Sequence, residues 1–421
     1  MKILRRKFIK YVGAGILSVP FFRGLRADYR PRVVVIGGGF GGGSFVRHLN
    51  SLNSNLNITL IEKKNKYTTC PFANYVLGGF RSLSSNIFSY EKMGEKINVL
   101  HKNVNFIDSE RKIIFCEGKE KIFYDWLVLA PGIGFKWDSI EGYTEKSNIN
   151  YPHAWSGGKD INKLYNEVKS LEKNCLICIS VPEYPYRCPP APYERASMIA
   201  YYLKKKGIKF KILILDNKNN FTKSENFFKA WKDFYGDSIE WISKDKGGKV
   251  IKFLPSEKTL FLESGEIIKS DFINIIPDQK ASDLLFKSKL ISSDWCKINP
   301  TTFSLNNHNS IHVIGDSIDA GDMPKSAFSA NSQAKVCAEN LNNVILDREI
   351  QDPVFLNTCY SLAAKYYSFS ISSWYRVNFD NTRITSLGSK ESSVDLSQFK
   401  RRKEVDQSYG WYLNITKEIF G

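Results

Sequence analysis

The residues of this chain that could carry chemistry are cysteines, a few carboxylates and a run of glycines. Three of the eight cysteines stand apart from the rest by context. Cys188 lies in Arg187-Cys188-Pro189-Pro190, a loop past the carboxyl end of an apolar strand, which is where α/β folds place their sites. Cys359 lies in Asn357-Thr358-Cys359-Tyr360, in polar company after Pro353. A Cys188–Cys359 disulfide would join two distant parts of the chain. It could be a staple worth about 2–5 kcal/mol, or a redox disulfide, and the residues alone divide these evenly. Cys70, in Thr69-Cys70-Pro71, is compatible with packing, a disulfide or a ligand. Cys337 falls in step with Ala330, Ala334, Leu341 and Val344, the core face of a helix. Cys175 and Cys178 form a Cys-x-x-Cys inside an apolar strand with no second ligand pair, so they read as core and no metal site is expected.

The elements that would position these groups start at Arg32–Gly43, Arg-Val-Val-Val-Ile-Gly-Gly-Gly-Phe-Gly-Gly-Gly. Val33 to Ile36 read as a buried parallel strand. Gly37, Gly39 and Gly42 then fit G-x-G-x-x-G at the start of a helix. The first glycine allows the turn, the second lets a pyrophosphate reach the backbone, and the third lets helix pack on strand. A second apolar strand, Ile58–Ile61, ends in Glu62, about 20–25 residues on, where a ribose-binding acid belongs. Residues 98–129 alternate as short antiparallel strands. Tyr124–Leu129 then runs into Ala130-Pro131-Gly132, the usual return from a flavin domain. Ile311–Ile314 ends in Gly315-Asp316, placing Asp316 to accept a hydrogen bond from a ribityl chain. The helix that follows, roughly residues 328–346, would aim its positive end at the flavin ring.

Between these pieces a second strand–loop–helix–strand unit runs from Leu176–Val181 through a helix near Tyr193 to Lys211–Leu215 and Asp216. Its loop holds prolines and Cys188 where a phosphate loop would hold glycines. Proline has no N–H to offer a phosphate, so no use of NAD(P)H is expected. The fold class is α/β, with two Rossmann-like domains and a C-terminal α+β piece. The expected boundaries are 1–27 (export signal), 28–150 and 271–346 (FAD-binding), 151–270 (NAD-like, without a phosphate loop) and 347–421 (flavin-covering or partner-facing).

The chain has 421 residues and a formal net charge of +17, which invites a nucleic-acid partner. Residues 1–27 hold seven of the cations and no acid, and the remaining lysines are scattered, as on a solvated surface. Arg5-Arg6-Lys7-Phe8-Ile9-Lys10 precedes the apolar run Tyr11–Phe22, in the order of a twin-arginine export signal. A periplasmic, disulfide-permissive destination follows. The rival is an uncleaved anchor. No later stretch is long and apolar enough to span a bilayer, and no Cys-x-x-Cys-His attaches a haem here.

At the level of whole motifs, the chain resembles the flavoprotein subunit of flavocytochrome c sulfide dehydrogenase. The likeness is carried by Val35–Gly42, Tyr67-Thr68-Thr69-Cys70-Pro71, Asn74–Ser82, Ala130-Pro131-Gly132-Ile133 and Phe135-Lys136-Trp137-Asp138. It continues in Pro152-His153-Ala154-Trp155, Arg187-Cys188-Pro189-Pro190, Pro192–Met198, Met323-Pro324-Lys325-Ser326 and Ser329–Gln333. The resemblance implies a glutathione-reductase-like fold with FAD on the first domain and a thioether from Cys70 to the flavin. It implies a Cys188–Cys359 disulfide over the ring, Glu194 beside it as proton donor or acceptor, and a separate c-type cytochrome subunit as electron acceptor. Asp278 stands where the family tends to have proline, and no role is assigned to it. A sulfide:quinone oxidoreductase, with a membrane-binding tail at Gln407–Gly421, is the alternative enzyme. A non-catalytic electron-transfer subunit is the other, which intact Cys188, Cys359 and Glu194 argue against.

Overall fold

The valine-rich strand is the centre of a six-stranded sheet in the computed structural model, which describes residues 30–421 apart from Glu95 and Lys173. The export signal read at residues 1–27 lies outside the described residues. Arg32–Ile36 pairs in parallel with Asn57–Ile61 on one side and Trp126–Leu129 on the other. Ile97–Leu100 and His308–Val313 extend the sheet outward in parallel, and Ser304–Leu305 closes one edge antiparallel. Val33, Val34 and Val35 are almost fully buried, in one core with residues of the helices Phe40–Leu52 and Ala327–Ile345 and with Ile107 and Ile114 of the antiparallel strands. The strands Val104–Asp108, Ile113–Cys116 and Lys121–Phe123 form the expected antiparallel excursion.

A second parallel sheet runs in the order Ile239–Ile242, Phe210–Asp216, Cys175–Val181, Phe272–Ile275. Cys175 and Cys178 are buried in its central strand. The return to the first sheet placed at Asp271 is therefore one strand early. Phe272–Ile275 is buried throughout, with three apolar residues and Asn274, and pairs with Ile177–Ser180, and Asp271 Oδ2 ties that junction by accepting from Leu176 N at 2.8 Å. The chain leaves this sheet only afterwards, at Gln279–Ala281, which pairs antiparallel with Ile133–Phe135.

The C-terminal piece is a three-stranded antiparallel sheet, Val354–Ala364, Tyr367–Val377 and Ile384–Glu391, followed by a 23-residue helix, Gln398–Phe420. Arg401 anchors the helix. It is fully buried and donates to Asn226 Oδ1 at 2.7 Å and to the carbonyls of Ser393 and Val394 at 2.7 and 3.0 Å. At the far end Tyr412, Ile415, Ile419 and Phe420 are buried, Phe420 stacks on Tyr67 and Phe88, and Tyr412 OH shares a 2.7 Å hydrogen bond with Thr69. These four tail residues thus pack inward, against protein, while Leu413 is exposed. Among the described residues no helix is long and apolar enough to cross a membrane, and no cluster of His, Cys, Asp and Glu could hold a metal ion.

Candidate functional site

One cavity collects the groups that the sequence scattered. Gly37, Gly39, Glu62, Tyr67, Cys70, Ala130, Gly132, Cys188 and Asp316 line it together with Ser326 and Ala330. A wider groove continues from it through Glu62, Tyr67, Cys70, Gly132 and Arg187. Gly42 stands behind the loop rather than in the cavity, and a Cβ there would sit 1.9 Å from Gly37 O. Gly37 takes φ +98°, and a Cβ on it would meet Ala130 O at 2.3 Å. These two glycines let strand, turn and helix close on each other. Replacing Gly42 with alanine is expected to destabilise the fold by about 1–3 kcal/mol through overpacking and to leave the purified protein almost without flavin. A melting curve and the visible absorbance per chain check both.

The cavity is shaped for a flavin dinucleotide. Gly38 N donates to Glu62 Oε2 at 2.8 Å, so the acid at the strand end is drawn against the glycine loop, where a ribose hydroxyl would reach it. Asp316 follows the His308–Val313 strand. Its Oδ1 is buried without a hydrogen-bond partner and its Oδ2 lies 3.9 Å from Arg187 Nη1. An unpartnered buried acceptor on a cavity wall suits a hydroxyl-bearing chain. Ser326 caps the helix Ala327–Ile345, its Oγ accepting from Ser329 N at 3.0 Å, and that positive helix end opens on the same cavity.

The sulfur groups sit at the inner wall. Cys188 is held at φ +60° before Pro189, with its N–H on Lys325 O at 2.8 Å. Cys188 and Cys70 line the same cavity wall. Interaction with the Cys188 thiol, aided by Arg187, brings the Cys70 thiol down to about 7 against the effect of burial. Interaction with Cys70 and burial push Cys188 well above the ordinary thiol range. Cys359, on the strand Val354–Ala364, does not line the cavity, and burial raises its thiol. Cys188 and Cys359 are both free thiols here, so the expected 188–359 bond is open in this structure, with Cys359 Sγ 3.8 Å from Lys223 Nζ.

Glu194 is in the first turn of the helix Ala191–Lys205 and is half-buried among these groups. Oε2 accepts from Asn74 Nδ2 at 2.9 Å, Oε1 accepts from Leu362 N at 2.9 Å, and burial raises its carboxyl above the usual range. The helix thus joins the Cys188 loop to the strand of Cys359.

Three cations at this wall were not singled out from the sequence. Arg187 donates its backbone N–H to Gln279 Oε1 at 2.8 Å and a guanidinium N–H to Trp155 O, and leaves Nε without a partner beside the cavity. Arg195 is buried over the Trp155 ring at 4.4 Å and bonds Asn274 Oδ1 at 2.6 Å and His153 O at 2.8 Å. Lys223 is the third. Arg187 and Arg195 adjoin residues already of interest, and both lie in motifs quoted for the family resemblance. Lys223 carries no such local signal.

The second parallel sheet has its own closed end. Asp216, where a dinucleotide-binding acid would sit, is fully buried. It accepts from Tyr193 OH at 2.5 Å, Trp241 Nε1 at 2.8 Å and Lys218 Nζ at 2.5 Å. Tyr184 and Tyr186 stack beside it, with Lys218 Nζ 5.1 and 5.0 Å from their rings.

Fold and cavity together define a mixed α/β flavoprotein of the pyridine nucleotide-disulphide oxidoreductase fold, with a Rossmann-type FAD-binding domain. The family model for pyridine nucleotide-disulphide oxidoreductases matches residues 31–163. That for the sulfide dehydrogenase (flavocytochrome c) flavoprotein chain, central, matches 162–277, and that for flavocytochrome c sulphide dehydrogenase, flavin-binding, matches 351–420. A sulfide dehydrogenase (flavocytochrome c) flavoprotein chain from Chlorobaculum thiosulfatiphilum is 51% identical over 45 residues, which cover 11% of this chain and 94% of that one. A mitochondrial sulfide:quinone oxidoreductase from Dictyostelium discoideum is 22% identical over 74% of this chain and 70% of its own length. The crystal structure of the sulfide:quinone oxidoreductase from Aquifex aeolicus superposes with a TM-score of 0.67 at 17% identity, over 93% of this chain and 92% of that one, a likeness of fold. This chain belongs to the family of flavocytochrome c sulfide dehydrogenase flavoprotein chains, which are flavin-dependent, sulfide-oxidising oxidoreductases.

Proposed function

We propose that the protein oxidises sulfide at a Cys188–Cys359 disulfide beside FAD and passes the electrons to a c-type cytochrome subunit. The observation that carries this reading is the meeting of Cys70, Cys188, Cys359 and Glu194 in one half-buried cluster, of which Cys70 and Cys188 line the flavin cavity. The arrangement is of the glutathione-reductase type, with the FAD-binding parts at 28–150 and from Gln279 to 346, and the C-terminal sheet and helix covering them. The mature chain is periplasmic, exported by the twin-arginine route.

Sulfide, as HS⁻, attacks one sulfur of the disulfide, the other sulfur leaves with the bonding pair as a thiolate, and a persulfide remains on the attacked cysteine. Glu194 takes or returns the proton of the incoming sulfide, and the burial that raises its carboxyl keeps it able to do either. Cys188, lining the cavity, is the sulfur that faces the flavin. Bound FAD supplies a two-electron acceptor that releases electrons singly. Gly37 and Gly39 leave room for its pyrophosphate, Glu62 meets the ribose, Asp316 meets the ribityl hydroxyls, and Cys70 is the point of covalent attachment. The acidity of Cys70 supports that last role, since the thiolate is the attacking form.

The choice of acceptor rests on two observations. Tyr412, Ile415, Ile419 and Phe420 of the Gln398–Phe420 helix are buried inside the protein, and the end of the second sheet is plugged by Tyr184, Tyr186, Lys218 and Trp241 around Asp216. Accordingly, sulfide is expected to drive reduction of cytochrome c, and NADH to leave the flavin oxidised. Sulfide-dependent turnover with ubiquinone in place of cytochrome c would move the protein to the quinone-reducing class. Absence of sulfide-dependent flavin reduction would remove the enzymatic reading altogether.

A further inference from the structure

Lys223 is a buried cation, 2% exposed, that forms no ion pair with a carboxylate among the described residues. It stands at φ +65° just before the helix Ser224–Tyr235, a backbone conformation that a long side chain seldom adopts. Burying an ammonium costs free energy that its contacts must offset. Nζ donates to Cys359 O at 3.1 Å and to Ser361 Oγ at 2.7 Å, and it lies 3.8 Å from Cys359 Sγ. A neutral thiol is a weak acceptor for that third contact, whereas a sulfur anion is a strong one.

The titratable groups facing Cys359 come from four other parts of the chain. Glu194 is on the Ala191–Lys205 helix, Cys188 on the loop before it, Cys70 on the loop after the first strand–helix–strand unit, and Tyr75 on the helix Ala73–Leu77. Glu194 and Cys70 oppose a negative charge at Cys359, and Lys223 favours one. We propose that Lys223 is a positioning residue of the sulfur site, its ammonium holding the negative charge that forms at Cys359 when the Cys188–Cys359 disulfide opens. This rests on the redox-disulfide reading above. If HS⁻ bonds to Cys188, the Cys188–Cys359 bond breaks and its electron pair goes to Cys359, a thiolate against Nζ. The proton stays on the new persulfide. If HS⁻ bonds to Cys359, Cys188 leaves with the pair, and the Cys359 persulfide becomes the anion against Nζ once Glu194 takes its proton. In both cases the sulfide sulfur is oxidised and the disulfide reduced by two electrons.

The test follows Cys359 itself, in anaerobically reduced, flavin-loaded protein. Its alkylation by iodoacetamide is measured against pH by peptide mass spectrometry in the wild type and in Lys223→Met, Lys223→Gln and Lys223→Arg. Flavin content certifies the fold of each. The Met and Gln variants are expected to slow alkylation of Cys359 near neutral pH by about tenfold, the consequence of one unit of pKa, and to shift its midpoint upward. Arg is expected to restore the wild-type curve. Gln can still donate to Cys359 O and Ser361 Oγ, so a merely structural lysine predicts an unchanged curve in Lys223→Gln, and that result overturns the proposal. If Met does not fold, Gln and Arg decide between the same two outcomes. Non-reducing peptide mapping of the wild type tests the underlying reading separately. Free Cys188 and Cys359 in oxidised protein would defeat the disulfide, whatever the alkylation curves show.

Discussion

Cys188→Ser is expected to lower the rate of flavin reduction by sulfide by roughly three orders of magnitude or more, the scale of loss when a nucleophilic catalyst's covalent partner is removed. The serine oxygen cannot form the disulfide, so HS⁻ finds no sulfur–sulfur bond to open and no cysteine to leave as a thiolate. Flavin binding should survive. The groups that would hold the nucleotide, Gly37, Gly39, Glu62 and Asp316, are on other elements and none hydrogen-bonds to the Cys188 side chain. The substitution is also small enough to keep the Cys188 N–H on Lys325 O, which fixes the loop. Anaerobic stopped-flow mixing with sulfide measures the effect. A variant that bleaches within about tenfold of the wild-type rate would mean that the flavin takes electrons from sulfide directly and that the cysteines are structural.

The second large effect concerns attachment. Wild-type protein denatured in acid is expected to keep its flavin through precipitation and washing, and Cys70→Ala to lose all of it to the supernatant. The argument is electrostatic. The neighbouring Cys188 thiol and Arg187 together bring the Cys70 thiol down to about 7, toward the reactive thiolate. A buried thiol without such neighbours is pushed the other way, as Cys337 and Cys296 are in this same molecule. Cys70 also lines the cavity beside Tyr67, in reach of whatever fills it. Free flavin in the wash of the wild type would leave Cys70 a cavity thiol with an unexplained acidity.

Much of this site could be read from short stretches of chain because its parts are local. A run of valines before three glycines specifies strand, turn and helix within a dozen residues, and Glu62 closes the same unit one strand later. The proline-bound loop of Cys188 sits at a strand end that the hydrophobic pattern marks plainly. Other parts depend on contacts that no local pattern encodes. Lys223 meets Cys359 across 136 residues, and neither its charge nor its neighbours distinguish it from the other lysines of a basic chain. Arg195 sits on a helix whose pattern gives its burial no sign. Its guanidinium is satisfied by Asn74, His153 and Asn274 from three separate segments. The boundary at Asp271 went astray for a related reason. Phe272–Ile275 is an apolar strand that would suit either parallel sheet, and the contact that assigns it, Asp271 to Leu176, spans 95 residues. The tail reads as a membrane-binding alternative because its pattern does not show that Tyr412 and Phe420 meet Thr69, Tyr67 and Phe88, residues more than 300 positions away.

The central claim is that a sulfur–sulfur bond between Cys188 and Cys359 stands between sulfide and the flavin. It is tested most directly by titrating the oxidised protein anaerobically with sulfide, reading the visible flavin band and, from the same samples, the alkylation state of both cysteines. The account predicts a linked 188–359 peptide at the start that disappears in step with bleaching of the flavin. Bleaching of the flavin in protein whose Cys188 and Cys359 are already free before sulfide is added would contradict it.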